Sequence, residues 1–218
     1  MQSGAIAVFS PLPLTEKVRD RLKTLGGNVQ YIIAPSRAHH MFLHEWHTAF
    51  PSARIIGPNG LQEHIDKIKE SEKIRVNRHV KQGETSGSVD AVFSQDFDMV
   101  SFDMVRSGDL VFRHIPSGSV IEADLFCNIS RRAEIQCGPV REAYAFTIMK
   151  PPRLSQWVTW IFRGKSRLDS YAASVREIES WTFDRVIPCH GDIIPPENNA
   201  KARLISALRK GVSPWKQT

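Results

Sequence analysis

Residues Tyr31 to Pro58 read YIIAPSRAHHMFLHEWHTAFPSARIIGP and contain the clearest pattern of secondary structure in the chain. An apolar run from Asn28 to Ala34 predicts a buried β-strand, and the residues around Arg54 to Ile56 predict a second one. Between the two strands, a helix is expected through the histidine-rich part as far as Phe50, just before Pro51. A strand, a helix and a strand in succession are typical of α/β proteins in which helices pack outside sheets.

The segments around this stretch extend the alternation. Ala5 to Phe9 fits a buried strand, and Thr15 is expected to cap a helix that Gly26 and Gly27 end. After Val89, the short segments AVF, MVSFDMV, LVFRHI and SVIEAD predict a run of antiparallel strands separated by turns. The remaining predicted elements are helices over Leu154–Phe162, Ser166–Ser180 and Glu197–Lys210 and a strand over Arg185–Pro188. No linker divides the chain, so residues 1–218 are predicted to form a single domain.

Composition narrows the class of protein. The 218 residues are 41% hydrophobic and 24% charged, which is typical of a soluble globular chain rather than a disordered, fibrous or membrane one. The longest charge-free runs after Glu16 are about half of the ~20 residues that a membrane-spanning helix needs. The apolar opening has no basic leader, so no secretory signal is predicted. Cys127, Cys137 and Cys189 form no CxxC pair and are expected to be free thiols of a cytoplasmic protein.

The charge balance suggests no particular macromolecular partner. The chain has 29 Lys and Arg against 23 Asp and Glu, a net charge of +6 that would permit a polyanionic partner. The basic residues are spread along the chain and interleaved with acidic ones, and no recognition motif accompanies them. We therefore expect a small-molecule substrate, with no specific nucleic acid and no membrane as partner.

The histidines are distributed unevenly. Four of the eight, His39, His40, His44 and His47, fall within nine residues that follow a predicted strand. Loops at the carboxyl ends of strands are where α/β folds usually place their ligands. If this segment is helical, His40, His44 and His47 lie along one face. One helix rarely supplies a whole metal site, so we expect a ligand role for His40 and local hydrogen bonds for His44 and His47.

Two later positions could complete a site. Asp124 follows the apolar strand SVIEA, and a charge there needs a hydrogen bond, an ionic partner or a metal, although strand-end aspartates often simply cap a turn. His190 follows the short strand at Arg185–Pro188 and precedes Gly191, whose freedom allows a sharp turn at the rim of the sheet. A histidine that merely caps its strand is the alternative for His190.

Taken together, four blocks of sequence resemble the metallo-β-lactamase superfamily and, more closely, its divergent DUF4336 branch. The blocks are AVFSPLPLT, YIIAPSRAHHMFLHEWHTAFPSARIIGP, IEADLFCN and DRVIPCHGDII. The resemblance implies a four-layer αββα sandwich, with a metal site between loops at one edge. Hydrolases, oxidoreductases and nucleases share this scaffold, so the resemblance alone does not name the chemistry. The leading hypothesis is a metal-dependent hydrolase that attacks an ester, lactone, thioester or related small molecule through metal-activated water.

The resemblance also assigns the ligands residue by residue. The first metal motif of the superfamily, HxHxDH, falls on the stretch that contains Ser36 and Ala38 in place of its first two histidines, so one metal subsite lacks its main ligands. The end of that motif falls on His39 and His40, the bridging aspartate falls on Asp124, and the final histidine falls on His190. The implied ligands are therefore His40, Asp124 and His190, with His39 or His44 as a fourth. The implied site holds one divalent metal ion, zinc in the first place and iron or manganese otherwise, with Asp124 and His190 as catalytic residues.

The departures from the superfamily pattern leave an alternative function open. The intermediate histidine of the pattern has no clear counterpart, with Met104 or a neighbour in its place and His114 too far along the chain. A protein that has lost its metal-site histidines in this way could serve as a non-catalytic ligand-binding or interaction module. The two functions differ in whether the surviving ligands converge around an open position.

Overall fold

The computed structural model describes residues 1–68, 74–128 and 165–210, which contain two four-stranded sheets and their helices. The strands are β1 Ile6–Phe9, β2 Val29–Ile33, β3 Arg54–Pro58, β4 Arg78–Val80, β5 Phe97–Phe102, β6 Asp109–His114, β7 Ser119–Glu122 and β8 Arg185–Pro188. The α-helices are α1 Glu16–Thr24, α2 Leu43–Ala49, α3 Leu61–Ile68, α4 Ala91–Asp96, α5 Lys165–Ser180 and α6 Ala200–Lys210. Short 3-10 turns lie at Ser86–Ser88, Ile115–Ser117 and Pro196–Asn198.

The first sheet has the order β1-β2-β3-β4, and all of its strands are parallel. Helices α1, α2 and α3 connect these strands in turn, which is the connection that parallel neighbours need. Tyr31 pairs with Arg54 and Ile33 pairs with Ile56 across β2 and β3. The predicted β-α-β-α-β alternation is confirmed. Because the strands are parallel, their carboxyl ends meet at one edge of the sheet, and that edge receives the loop that contains His39.

The second sheet has the order β5-β6-β7-β8, in which β5, β6 and β7 are antiparallel and β8 joins β7 in parallel. The predicted antiparallel run is therefore confirmed for its last three segments. Its first segment, AVF, was predicted wrongly, because Ala91 begins helix α4. Asp90 is the N-cap of that helix and accepts a hydrogen bond from the backbone N–H of Phe93 at 2.7 Å, which favours a helix over a strand.

The alternation of side chains along the strands builds the layers. In β2 and β3, Ile32 and Ile55 point outward and pack with the helices α1–α3, whereas Ile33 and Ile56 point inward to the second sheet. Phe112 of β6 meets them there, so the inner layer consists of apolar residues of both sheets. A period of two residues is the geometry of a strand, and it lets each strand contribute to two cores.

Helices α5 and α6 cover the outer face of the second sheet. Phe102 and Val120 point away from the inner layer and pack with Ile178 of α5 and Leu204 of α6, all of them at most 1% exposed. Burial of each such side chain is worth roughly 1.5–3 kcal/mol. The order of layers is thus helices, sheet, sheet, helices, and the predicted four-layer αββα sandwich is confirmed.

The predicted helix through the histidine cluster begins later than expected. Helix α2 starts at Leu43, so His40 lies before it, and the expected face of His40, His44 and His47 does not form. The reason is local, because the side chain and carbonyl of Ser36 accept hydrogen bonds from the N–H groups of Ala38 and His39 at 3.2 Å each. Serine hydroxyls compete in this way with the helical pattern and favour turns.

Further predictions concern the C-terminal helices, the cysteines and membrane-spanning segments. Helices α5 and α6 confirm the predicted C-terminal helices, although residues 197–198 form a 3-10 turn. Cys127 and Cys189 are free thiols. The predicted helix at 154–162 and Cys137 lie outside the described residues. Within residues 1–68, 74–128 and 165–210, none of the helices is long and apolar enough to cross a membrane.

Candidate metal centre

Three side chains converge at the edge of the sandwich where the loops after β2, β7 and β8 meet. His39, Asp124 and His190 each offer one ligand atom, and these atoms all lie within 4.8 Å of one another. Nε2 of His39 lies 3.4 Å and Nε2 of His190 lies 3.3 Å from the same carboxylate oxygen, Oδ1 of Asp124. The two imidazole rings are 5.5 Å apart and nearly perpendicular, at 89°. All three residues are partly exposed, so the group is open to solvent.

The parallel pairing of β7 with β8 explains why residues so distant in sequence meet. Glu122 pairs with Pro188 at the ends of the two strands, and the N–H of Cys189 continues the ladder by donating to the carbonyl of Glu122 at 3.0 Å. The chain then turns at Gly191, where φ is +99°. The expected glycine turn at the rim of the sheet is therefore confirmed, and it leaves His190 beside Asp124.

Two serines hold the candidate ligands in place. Oγ of Ser10, in the loop after β1, lies 2.7 Å from Nδ1 of His39, and Oγ of Ser36 donates to Oδ2 of Asp124 at 2.7 Å. The Ser10 contact fixes the orientation of the His39 ring and leaves its Nε2 directed at Asp124. Ser10 has a φ of +51°, which is uncommon for a residue other than glycine and is the kind of backbone strain that clusters at functional sites.

The electrostatics of the group favour an ionised carboxylate. Burial alone would raise the pKa of Asp124, but hydrogen bonds to His190, His39 and Ser36 and the charge of His39 hold that pKa well below its usual range. The hydrogen bond to Asp124 in turn raises the pKa of His190, against the effect of burial. Asp124 is thus anionic at neutral pH, which is the protonation state that a metal ligand requires.

Two fully buried carboxyl groups lie beneath Asp124. Oδ1 of Asp109 accepts a hydrogen bond from the backbone N–H of Asp124 at 2.9 Å, and the hydroxyl of Ser107 donates to its other oxygen. Burial and the nearby charge of Asp124 raise the pKa of Asp109 to about 7. Glu122 accepts a hydrogen bond from the N–H of Phe126 at 3.0 Å, and burial raises its pKa well above the usual range. These groups fix the backbone of the loop that presents Asp124.

The structure does not bring His40 into this group. Its Nδ1 lies 2.8 Å from the carbonyl of Arg37, and its ring stands edge-on to His64 at a centroid distance of 5.0 Å. Burial, followed by the charges of His40, Arg37 and Lys67, lowers the pKa of His64. Successive turns direct the neighbours His39 and His40 to different sides of the loop, so only one of them meets Asp124.

The other positions considered from the sequence lie elsewhere. His44 is exposed on α2, and His47 is partly buried on the same helix. Met104 is packed in the core beneath α5 and α6. His114 is the last residue of β6, whereas Asp109 at the metal edge is its first, so the strand separates His114 from the site by roughly 17 Å at ~3.4 Å per residue.

Sequence reasoning missed Ser10, Asp109 and Glu122 as parts of the site. Ser10 stood inside the block AVFSPLPLT, but only its positive φ and its contact with His39 reveal a role. Asp109 lies between the segments MVSFDMV and LVFRHI, where only a turn is predicted, and Glu122 lies within the predicted strand SVIEAD. A carboxylate between apolar neighbours, as in VIEAD, is the signal that could have identified Glu122 as a buried group.

Comparisons with known proteins identify the fold. No protein-family model matches the chain, and a search of curated proteins finds no match. The flavodiiron core from Synechocystis aligns over 98% of this chain and 51% of its own, with a TM-score of 0.61 and 13% identity. Rubredoxin oxygen:oxidoreductase from Desulfovibrio gigas aligns over 95% and 49%, with a TM-score of 0.56 and 12% identity.

A metallo-β-lactamase from Pontibacter korlensis aligns over 94% of this chain and 80% of its own, with a TM-score of 0.52 and 11% identity. These structures share the metallo-β-lactamase fold, and the chain has that fold as well. It spans about half the length of the flavodiiron core and of rubredoxin oxygen:oxidoreductase, at 51% and 49%. Within that fold, the group of His39, Asp124 and His190 could hold a metal ion.

Proposed function

We propose that the protein is a metal-dependent hydrolase that acts on a small-molecule ester, lactone, thioester or related carbonyl compound at a mononuclear site. The observation that carries this proposal is the convergence of two imidazole nitrogens and one carboxylate oxygen within 4.8 Å, on the loop edge of a metallo-β-lactamase fold. Three protein ligands with an open fourth position are the arrangement of catalytic zinc sites. When bound, a divalent metal acidifies a coordinated water so that it can attack a carbonyl at neutral pH.

The donor set fits a divalent cation. His39, Asp124 and His190 would hold the ion, and Asp124 is already anionic because its pKa is held below the usual range. Ser36 occupies the place of a superfamily histidine and donates to Asp124, which supports one ion rather than two. Zinc is the first expectation for two nitrogens and one oxygen, and iron or manganese suits the same donors. The flavodiiron neighbour makes iron worth testing directly.

We also propose that the protein belongs to the DUF4336 branch of the metallo-β-lactamase superfamily. The sequence blocks around His39, Asp124 and His190 support this family assignment. Their spacing supports Asp124 and His190 as the residues that act on the substrate. A cytoplasmic location, with neither nucleic acid nor membrane as a partner, is part of the same proposal.

Metal content tests the proposal most directly. Protein purified without added metal is analysed for zinc, iron and manganese, before and after incubation with each ion, and close to one ion per chain is expected. His190→Ala should lose that ion, whereas the matched control His44→Ala, an exposed histidine of α2, should keep it. Turnover is then measured on panels of aryl esters, lactones and thioesters. A wild-type protein that takes up none of the three ions would contradict the proposal.

A non-catalytic binding module is the second candidate, and one observation favours it. Each candidate ligand already has a protein partner, since Ser10 contacts His39, Ser36 contacts Asp124, and Asp124 lies 3.3 Å from His190. The group is therefore satisfied without an ion. Such a module would remain folded with a chelator present and would hydrolyse none of the panel, whereas the hydrolase would lose turnover with the chelator and regain it with metal.

A further inference from the structure

The side chain of Arg37 turns away from the candidate metal centre and connects three loops. Its Nε donates to the carbonyl of Asn59 at 2.8 Å, in the loop after β3. Its Nη1 donates to the carbonyl of Arg106 at 3.1 Å, in the loop between β5 and β6, and its Nη2 lies 4.0 Å from Oδ1 of Asp103 in the same loop. One guanidinium thus joins the loops after β2 and β3 of the first sheet to a loop of the second.

Two glycines leave a slot for this guanidinium. A Cβ added at Gly60 would lie 3.2 Å from Nε of Arg37, and a Cβ added at Gly108 would lie 3.0 Å from Nε and Cζ. Any larger residue at either position would press on the flat group. A planar fork with donors in fixed directions fits such a slot and reaches two carbonyls at once, which the single ammonium of lysine does not.

Backbone hydrogen bonds next to Arg37 link its loop to the candidate metal ligands. The N–H of Arg37 donates to the carbonyl of Ser107 at 2.8 Å, and the N–H of Leu110 donates to the carbonyl of Pro35 at 2.7 Å. Asp109, the first residue of β6 after that loop, accepts the N–H of Asp124 through its carboxylate at 2.9 Å. A continuous path of hydrogen bonds therefore runs from the loop that contains His39 to the loop that contains Asp124.

We propose that Arg37 is a positioning residue, which clamps the loops of the two sheets together and so keeps His39 and Asp124 at coordinating distance. The inference rests on the proposed metal site, but the clamp itself exists without metal and can be measured without it. The contacts that carry it are hydrogen bonds from a cation to carbonyls, and these are stronger than neutral ones. The side chain of Arg37 is 27% exposed, so these contacts are partly shielded from solvent.

Hydrogen exchange on metal-free protein tests the clamp alone. Arg37→Ala should speed exchange of the backbone amides in residues 35–40 and 103–110 while leaving those of α5 unchanged. Arg21→Ala, which removes an exposed arginine of α1, is the matched control and should alter neither loop. Equal exchange of both loops in Arg37→Ala and wild type would overturn the clamp.

A double-mutant cycle on zinc affinity tests the positioning role. Arg37→Ala and Gly108→Ala are each expected to weaken zinc binding by roughly 10- to 100-fold, as supporting residues of metal sites typically do. The double variant should bind no more weakly than the worse single variant, because the added methyl group no longer meets a guanidinium. Gly118→Ala is the control for strain, since φ is +58° at Gly118 and +63° at Gly108, and a Cβ at Gly118 would lie 3.7 Å from its nearest neighbour, Oδ1 of Asp184.

The outcomes separate this inference from the proposed function. Additive effects of Arg37→Ala and Gly108→Ala, or full recovery of zinc affinity in Arg37→Lys, would overturn the positioning role, because charge or backbone strain would then suffice. Wild-type affinity in every variant would overturn it too and would leave the proposed function standing. If wild-type protein binds no zinc, iron or manganese, the proposed function fails, and the exchange experiment alone decides whether Arg37 is a clamp.

Discussion

Ser36 Oγ donates a hydrogen bond to Oδ2 of Asp124 at 2.7 Å and so joins loops that lie 88 residues apart in the sequence. Ser36 is fully buried. It stands where the superfamily resemblance expects a metal-binding histidine, and it contacts the aspartate that the same resemblance expects to bridge two metals. A protein hydroxyl thus occupies one oxygen of Asp124, Oδ2, while the other, Oδ1, faces His39 and His190.

Ser36→Ala should destabilise the protein, because it leaves a mostly buried carboxylate oxygen without its donor. The expected loss in the free energy of unfolding is about 1–3 kcal/mol, measured by urea denaturation of metal-free protein. Ser206→Ala, which removes an exposed hydroxyl of α6, should change it by less than ~0.5 kcal/mol. Equal stability of the two variants would show that the Ser36 contact contributes nothing.

Zinc should raise the melting temperature of wild-type protein, because an ion that binds only the folded state stabilises it by mass action. At 100 times the dissociation constant, the gain is about 2.7 kcal/mol, or roughly 5–10 °C for a chain of this size. His39→Ala should abolish this shift, and His40→Ala should preserve it, since His40 lies against Arg37 and His64. If His40→Ala abolishes the shift and His39→Ala does not, His40 is a ligand and His39 is not.

Asp90→Ala should destabilise the region where the two sheets meet α4. The carboxylate of Asp90 caps α4 at the N–H of Phe93 and also accepts hydrogen bonds from the Tyr31 hydroxyl at 2.9 Å and from Arg54 at 2.6 Å. Loss of the helix cap alone costs about 1 kcal/mol, and loss of the other two contacts should increase this. Asp90→Asn, which retains an oxygen acceptor, should recover part of the stability in the same denaturation experiment.

Stability should fall at alkaline pH because of Tyr31. Burial, followed by the hydrogen bond to Asp90 and its charge, raises the pKa of Tyr31 from 10.0 to about 12. A folded-state pKa above the unfolded value means that the contribution is complete below pH 10 and is lost as pH rises through about 12. Tyr31→Phe should therefore flatten the decline in melting temperature between pH 9 and pH 12, and an unchanged slope in this variant would contradict the assignment.

The sequence predicted the architecture well because local rules decide it. Apolar runs, helix caps and glycine turns are short-range signals, and they predicted the β-α-β-α-β alternation and the glycine turn after His190. The helix start at Leu43 and the cap at Asp90 depend on which serine or aspartate side chain captures a backbone N–H, and that choice depends on the surrounding packing.

The site was predicted less completely than the fold, because its geometry depends on long-range contacts. The sequence indicated His39, Asp124 and His190 through family resemblance, but it could not distinguish His39 from His40, which a single turn separates. The roles of Ser10 and Arg37 arise from partners 22 to 69 residues away. No local pattern reports such contacts.

The parallel pairing of β7 with β8 has a consequence for the order in which the chain matures. During synthesis His39 and Asp124 emerge early, but the third donor arrives only with residue 190, after β8 has been made. A growing chain therefore cannot coordinate an ion through all three donors until β8 has docked on β7. Binding of an ion through all three donors would therefore report that β8 has joined the second sheet.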